Sequence, residues 1–183
     1  MLAGGFFVII DYRLKGWPMR NIFIVSDTHF GHSNILKFTD SNTGNKVRPE
    51  FSCVEEMNEV MVDRWNSVVR DEDIVYHLGD VYFGDGHKVL NRLKGRKRLI
   101  LGNHDNGKAS YLQCNFQKIL MWRMFPDFNC VLTHVPIHES GMYSVMYNLH
   151  GHIHQNASPT DRHINCSVEV QNYTPKHIEE LLP

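Results

Sequence analysis

IFIVSDTH, residues 22–29, is a short apolar run that ends abruptly in a carboxylate and an imidazole, those of Asp27 and His29. Its β-branched residues predict a buried strand that gives way to a loop, which is where α/β folds place their chemistry. Residues two apart in extended backbone point to the same side, so one metal ion could bind both side chains. The alternative for this stretch alone is a turn capped by Asp27 and Thr28, with His29 incidental.

The same pattern recurs along the chain. Further strand-like runs are each followed by a polar cluster, and these clusters are Asp80, Asn103 with His104, His134, and His152 with His154. Parallel strands bring their carboxyl ends to one edge of a sheet, so the clusters should meet there. Burying so many polar groups without partners would be costly, and cations would satisfy them.

The ligand set indicates which metals fit. It offers oxygen and imidazole nitrogen, which suit Mn²⁺, Fe, Zn²⁺ or Ni²⁺, and it has enough donors for two ions bridged by a carboxylate. No thiolate joins it, because the cysteines are scattered without a C-x-x-C pair. We interpret them as reduced thiols in a cytoplasm-like compartment. They are Cys53, Cys114, Cys130 and Cys166.

Composition is that of one globular domain: 183 residues, 42% hydrophobic and 21% charged. A net charge of −1 gives no field that would attract nucleic acid or an anionic membrane. Residues 1–18 are apolar but too short to span a bilayer, and they lack the basic start of a signal peptide. They are either an extension before a domain of residues 19–183, which begins at Met19, or an added edge strand over residues 6–10.

Periodicity supplies the remaining elements. Apolar residues at helical spacing predict a helix over residues 54–69, and shorter helices are expected after Ser33, over 86–93 and near 174–182. Alternation over residues 163–170 predicts antiparallel strands. Helices alternate with strands early and strands dominate late, which indicates an α/β core with a mixed sheet, or two sheets, flanked by helices.

The five clusters together resemble the sequence blocks of the calcineurin-like metallophosphoesterase superfamily. The blocks are D-x-H at 27–29, G-D at 79–80, G-N-H-D at 102–105, the isolated His134 and G-H-x-H at 151–154. They occur in the family's order, and the flanks at 26–32 and 150–154 resemble its small bacterial and phage members. The resemblance implies a four-layer α/β/β/α sandwich with two mixed β-sheets, the metallo-dependent phosphatase fold.

The resemblance also implies a role for each residue. Asp27, His29 and His154 would bind one metal, Asn103, His134 and His152 a second, and Asp80 would bridge the two, with Mn²⁺ the first choice. A water or hydroxide between the ions would attack phosphorus in line. His104 would act as the general acid, and Asp105 would orient its imidazole.

The implied activity is hydrolysis of phosphodiester or phosphomonoester bonds in a small substrate, such as a nucleotide. The alternatives are a nuclease of the same superfamily and a non-catalytic metal-binding scaffold. His32 would face substrate phosphate or else be a structural cap, and His138 and His150 could line the mouth. For four other histidines a hydrogen-bonded place at the surface or in the core is the expectation: His77, His87, His163 and His177. Arg48 and Lys108 could clamp phosphate, but a solvated place is the expectation for both.

Overall fold

The computed structural model describes residues 21–40 and 43–183, so the predictions for residues 1–18 and for Met19 lie outside the described part of the chain. The described residues form strands β1 Ile22–Val25, β2 Ile74–His77, β3 Arg96–Ile100, β4 Lys118–Leu120, β5 Arg123–Phe125, β6 Cys130–Leu132, β7 Tyr147–His150, β8 His163–Asn165 and β9 Lys176–His177. They also form helices α1 Val54–Val68, α2 Ser110–Asn115 and α3 Ile178–Leu181. No described helix is long and apolar enough to cross a membrane.

The first sheet has the order β4-β3-β2-β1-β9. Strands β1 to β4 run parallel, and β9 pairs antiparallel with β1. The predicted strands at the start of the chain are therefore confirmed, and their carboxyl ends share one edge. The pairing of β9 also explains why the last helix begins at Ile178 and not near Thr174, because Lys176 and His177 are held in the sheet.

The second sheet has the order β5-β6-β7-β8. Strand β5 is antiparallel to β6, whereas β6, β7 and β8 are parallel. The predicted antiparallel strands over 163–170 are therefore wrong: only His163–Asn165 is a strand, and it runs parallel to β7. Alternation reports which face a residue occupies but not the direction of the partner strand.

The layers follow from the alternating side chains of the strands. Between the sheets lies a dry core that includes Ile24, Tyr76, Leu132 and Leu149. The other face of the first sheet packs against α1 through Met57, Met61 and Trp65. Val131 points to the outer face of the second sheet, where Met142 and Val145 cover it beside a single 3₁₀ turn, Glu139–Gly141. The fold is thus the predicted α/β/β/α sandwich with two mixed sheets, and its fourth layer is short.

Helix α1 confirms the helix predicted over 54–69, and the shorter segments after Ser33 and around 86–93 are 3₁₀ helices, Ser33–Lys37 and Gly84–Arg92. Strands β4 and β5 and helix α2 were not predicted. Each is only three to six residues long, too short for a periodic pattern to emerge.

Candidate metal centre

Loops from both sheets meet at one edge of the sandwich. The backbone of Asp27, after β1, donates to the carbonyl of Gly79, after β2, at 3.0 Å. The backbone N–H of His152, after β7, donates to the carboxylate of Asp27 at 2.9 Å. The loops that follow β1, β2 and β7 are therefore joined directly, and the predicted clusters converge on one place.

The first group of candidate ligands is Asp27, His29 and His154, whose ligand atoms all lie within 4.8 Å of one another. Asp27 and His29 are buried, yet Asp27 Oδ1 and both ring nitrogens of His29 have no hydrogen-bond partner among the described residues. Buried polar atoms are almost always paired, because leaving them unpaired costs free energy. A cation bound between these atoms would satisfy them, so the residues present fit a metal ion.

The second group lies on the other side of Asp80. The Asn103 Oδ1 atom is 2.9 Å from His134 Nε2 and 3.0 Å from His152 Nδ1. The Asp80 Oδ2 atom is 3.8 Å from His29 Nε2 and 3.5 Å from His134 Nε2, so this carboxylate faces both groups. All seven residues predicted as ligands are thus brought together, with Asp80 between the two groups.

The electrostatics differ among the candidate ligands: burial is outweighed by the hydrogen bond with Asp80 and nearby carboxylate charges, which raise the pKa of His134, whereas the pKa of His29 is lowered. Burial lowers the pKa of His29 to about 2, so its ring is neutral and carries a free lone pair. Burial opposes ionisation of Asp80, but the hydrogen bond and charge of His134 outweigh it and lower the pKa of Asp80 to about 2. A neutral imidazole beside an ionised carboxylate is the state that binds a divalent cation.

Hydrogen bonds also orient the ligand rings. The Nδ1 atom of His134 lies 2.7 Å from the carbonyl of Leu78, which only accepts, so Nδ1 carries a proton and Nε2 is the ring atom that faces Asp80. The Nδ1 atom of His154 lies 2.9 Å from the carboxylate of Glu169. Such partners fix the tautomer and direction of a metal-binding histidine.

The backbone at this edge is strained. Five of the seven candidate ligands have a positive φ, at +58°, +48°, +57°, +72° and +51° for Asp27, His29, Asp80, His152 and His154. Residues other than glycine seldom adopt a positive φ. The conformation persists where the surrounding structure enforces it, commonly at functional sites. The turns aim the side chains inward immediately after the strands end.

Two glycines allow the loops to approach so closely. A Cβ atom on Gly151 would collide with the hydroxyl of Ser26 and the carboxylate of Asp27. A Cβ atom on Gly102 would collide with the carboxylate and backbone of Asp80. The glycines of the G-N-H-D and G-H-x-H blocks therefore make space for the ligands themselves.

Sequence reasoning missed a buried ion pair behind the site. Arg48, predicted to be solvated, is fully buried, and its guanidinium donates to the Glu169 carboxylate at 2.8 Å and to the carbonyls of Asp27 and Thr28 at 2.6 and 3.0 Å. Arg48 and the hydrogen bond from His154 lower the pKa of Glu169 to about 2 despite its burial. Both residues lie outside the sequence blocks, so no local pattern identified them.

His104 and Asp105 lie at the edge of the second group. The His104 ring is half exposed, and its Nε2 atom is 4.0 Å from Asp80 Oδ2. The Asp105 carboxylate accepts from the backbone N–H groups of Asp80, Val81 and Gly102 at 2.8, 3.0 and 2.9 Å. These three hydrogen bonds fix the loop around Asp80. No hydrogen bond among the described residues joins Asp105 to the imidazole of His104, so the orienting role of Asp105 stays a prediction.

The remaining histidines lie outside the two groups of candidate ligands. The His32 ring lies 5.8 Å from that of His29 and 4.2 Å from that of Phe83, so it borders the site, and its contact with phosphate stays a prediction. His150 does not line the mouth: it is fully buried and bonds to the carbonyl of Gly151. His138 is exposed at the start of a 3₁₀ turn. The others have the expected hydrogen bonds: His77, His87, His163 and His177.

Comparison with known proteins finds relatives in archaea, phages and bacteria. The chain is 35% identical over 173 residues to the uncharacterized protein MJ1445 of Methanocaldococcus jannaschii, covering 88% of this chain and 89% of that protein. It is 36% identical over 93 residues to the gene 66 protein of Mycobacterium phage L5, covering 48% of this chain and 41% of that protein. No protein-family model matches the chain.

A solved structure shares the fold. The protein of unknown function AQ665 from Aquifex aeolicus superposes with a TM-score of 0.70 at 25% sequence identity. The superposition covers 88% of this chain and 97% of that one, so the whole sandwich is shared.

Proposed function

The chain belongs to the same family as the Methanocaldococcus jannaschii protein MJ1445, and we propose that it is a metal-dependent phosphoesterase that uses two divalent cations. The observation that carries the proposal is a set of buried atoms, Asp27 Oδ1 and both nitrogens of His29, that have no hydrogen-bond partner within residues 21–40 and 43–183. They lie beside the Asp80 carboxylate, which faces two groups of candidate ligands. Such an arrangement is costly unless cations occupy it.

The two groups of donors would each hold one cation. Asp27, His29 and His154 form the first set, Asn103, His134 and His152 the second, and Asp80 serves both. Mixed oxygen and imidazole donors favour Mn²⁺, with Fe, Zn²⁺ and Ni²⁺ as alternatives. When bound, a pair of cations polarises phosphoryl oxygens and lowers the pKa of a coordinated water, which is the chemistry of phosphoester hydrolysis.

In this proposal, residues of the protein orient the candidate ligand rings and protonate the leaving group. Glu169 and the carbonyl of Leu78 fix the rings of His154 and His134 through their Nδ1 atoms, which leaves the Nε2 atoms to serve as ligands in this proposal. His104 is the exposed imidazole beside Asp80, and in this proposal it donates a proton to the leaving oxygen of the ester. His32, whose ring lies 5.8 Å from that of His29, would contact the phosphate.

The substrate in this proposal is a small phosphodiester or phosphomonoester, nucleotides included. A net charge of −1 provides no broad basic surface for a long nucleic acid. The four cysteines are free, as expected for a reducing compartment such as the cytoplasm.

The test is hydrolysis by protein stripped of metal and refilled with Mn²⁺, assayed with nitrophenyl phosphate monoesters and diesters. His104→Asn should lower kcat by about 10²- to 10⁴-fold, the usual contribution of a general acid, while the bound Mn²⁺ per chain stays unchanged. The control His87→Asn removes a partly exposed imidazole that bonds the carbonyl of Gly84 and stacks on Tyr111, and it should keep full activity. Absence of turnover with every divalent ion tried would contradict the proposal.

A further inference from the structure

A large apolar cavity opens beside the candidate metal centre. Its volume is about 530 Å³, and it lies between the loops that follow β3 and β6 and the segment that joins β4 to β5. We call it the apolar cavity; its main lining residues are Leu101, Met121, Trp122, Val135, Ile137 and Tyr143.

The apolar cavity is continuous with the proposed site. His134, one of the candidate ligands of the second group, is also part of the cavity wall. Leu101 in the wall immediately precedes the Gly102-Asn103 turn that supplies another ligand of that group. A phosphate held at the second group would therefore have its organic substituent next to this cavity.

The chemistry of the wall selects the occupant. None of the lining residues, all of which belong to the described part of the chain, is Asp, Glu, Lys or Arg. A charged substituent would lose its hydration there without gaining a partner, whereas apolar surface would be removed from water. Trp122 and Tyr143 add aromatic faces for stacking on a planar ring.

Three apolar side chains of the cavity wall are largely exposed, which favours a ligand that would cover them. Met121, Trp122 and Tyr143 are 70%, 59% and 92% exposed, although each would be more stable covered. Contiguous apolar patches on soluble proteins commonly mark binding sites. A volume of about 530 Å³ is in the range of pockets that enclose a small organic ligand.

We infer that the apolar cavity binds the uncharged, ring-containing organic group of the phosphate ester, and thereby selects aryl or similarly flat apolar esters over small polar ones. This inference rests on the proposed phosphoesterase function and adds a substrate class to it. The same chemistry would accept an uncharged nucleobase or another aromatic ring, since both offer a flat apolar face.

The test compares the kcat/KM values of 1-naphthyl phosphate and methyl phosphate, each measured with the Mn²⁺-loaded protein. Trp122→Ala and Tyr143→Ala should each lower the naphthyl-to-methyl ratio, by about tenfold for the tryptophan, the scale expected when apolar contacts in a specificity pocket are lost. Both side chains are largely exposed, so their truncation should leave the fold intact. The control Val68→Ala alters a valine of α1 that is 38% exposed and outside the cavity wall, and it should leave the ratio unchanged.

A binding measurement separates this inference from the proposed function. The neutral alcohol 1-naphthol should bind the metal-free protein, with an affinity that Trp122→Ala weakens and Val68→Ala does not. An unchanged naphthyl-to-methyl ratio in both cavity variants, with hydrolysis intact, would overturn the inference and leave the phosphoesterase standing. Failure to hydrolyse either ester with any divalent metal would overturn the proposed function instead. A dimer that is detected by sedimentation and that Trp122→Ala dissociates would also overturn the inference.

Discussion

Glu169 links a buried arginine to a candidate metal ligand. Its carboxylate accepts from Arg48 at 2.8 Å and lies 2.9 Å from Nδ1 of His154, and none of the three residues could keep its present contacts without the others. The geometry makes Glu169 a positioning residue: it sets the direction of the His154 ring and neutralises a fully buried guanidinium.

Glu169→Gln should therefore affect both stability and metal binding. Removing one partner of a buried pair leaves an uncompensated charge and typically costs about 3–5 kcal/mol in the free energy of unfolding. Losing the partner of a ligand histidine typically lowers metal affinity about 10- to 100-fold. Urea unfolding and Mn²⁺ titration calorimetry measure the two effects.

A surface pair provides the matched control for Glu169→Gln. Glu59 lies 2.6 Å from Arg92, but both side chains are substantially exposed, so Glu59→Gln should cost less than about 1 kcal/mol and leave Mn²⁺ affinity unchanged. Equal effects of the two substitutions would show that Glu169 does not position the site.

His77 should make the stability of the protein sensitive to acid. Its Nδ1 atom accepts from the backbone N–H of Gly79, so its Nε2–H donates to the hydroxyl of Thr28, which in turn donates to the carbonyl of Val81. A proton on Nδ1 would break this chain of hydrogen bonds. Burial lowers the pKa of His77 to about 3, and His134 adds to the shift while Asp80 opposes it.

The sign of this pH dependence follows from the lowered pKa. Below its ordinary value of 6.5 the unfolded state binds a proton that the folded state excludes, so stability is full above pH 6.5 and falls toward pH 3. The slope should reach about 1.4 kcal/mol per pH unit. Urea unfolding between pH 7 and pH 4 with chelator should show a shallower slope for His77→Asn than for the wild type, while His87→Asn keeps the wild-type slope. Parallel slopes for wild type and His77→Asn would refute the assignment.

At the scale of single residues, sequence identified the seven candidate ligands because each follows a strand in a short block. It did not identify Arg48 or Glu169, which lie 121 positions apart and meet only in the folded chain. Nor could it show that five ligands adopt a positive φ, because the residue types involved are not glycine.

At the scale of elements, the candidate site lies where strands give way to loops. Gly151 is the glycine at these junctions that has the least space for a side chain. It follows β7, yet a side chain on it would enter the space of Ser26 and Asp27 after β1, in the other sheet. The two sheets are thus joined at this point by a contact that only glycine permits.

Gly151→Ala should separate these junctions. Overpacking of this kind typically costs about 1–3 kcal/mol of stability, and here it should also displace the carboxylate of Asp27 and weaken Mn²⁺ binding. Gly141→Ala is the control for stability, since a Cβ atom there would make only an ordinary 3.6 Å contact with Ile137. Urea unfolding and calorimetry give the two quantities, and an unaffected Mn²⁺ affinity in Gly151→Ala would contradict the expected displacement.

The sequence predicted secondary-structure elements well where a periodic pattern of apolar residues was long. It predicted them poorly where pairing between strands decided the structure. Helix α1 has 15 residues of consistent spacing, and the structure has it where the pattern placed it. Strand β9 occupies two residues of the predicted last helix because antiparallel pairing with β1 outweighs local helix signals. The alternation of polar and apolar residues could not predict that β8 runs parallel to β7, because the sequence of one strand does not specify its pairing partner.

At the scale of the whole molecule, the candidate metal centre is built from loops of both sheets. The candidate ligands follow strands of both sheets, and their buried atoms that lack a hydrogen-bond partner in the described part of the chain oppose folding when no cation is bound. Metal binding and folding should therefore be coupled, because the unfolded chain does not bring these residues together.

Mn²⁺ should consequently stabilise the protein by more than one bound ion can. A ligand that binds only the folded state adds about 2.7 kcal/mol at a free concentration 100 times its Kd, and two sites should contribute twice. Asp80→Asn should remove most of this gain because the carboxylate faces both groups of donors, at 3.8 Å from His29 and 3.5 Å from His134. Asp85→Asn, which loses only an exposed pair with Lys88, should keep the full gain. Unfolding in urea at several Mn²⁺ concentrations measures the effect, and an equal gain in Asp80→Asn and wild type would exclude a shared carboxylate at the centre of the site.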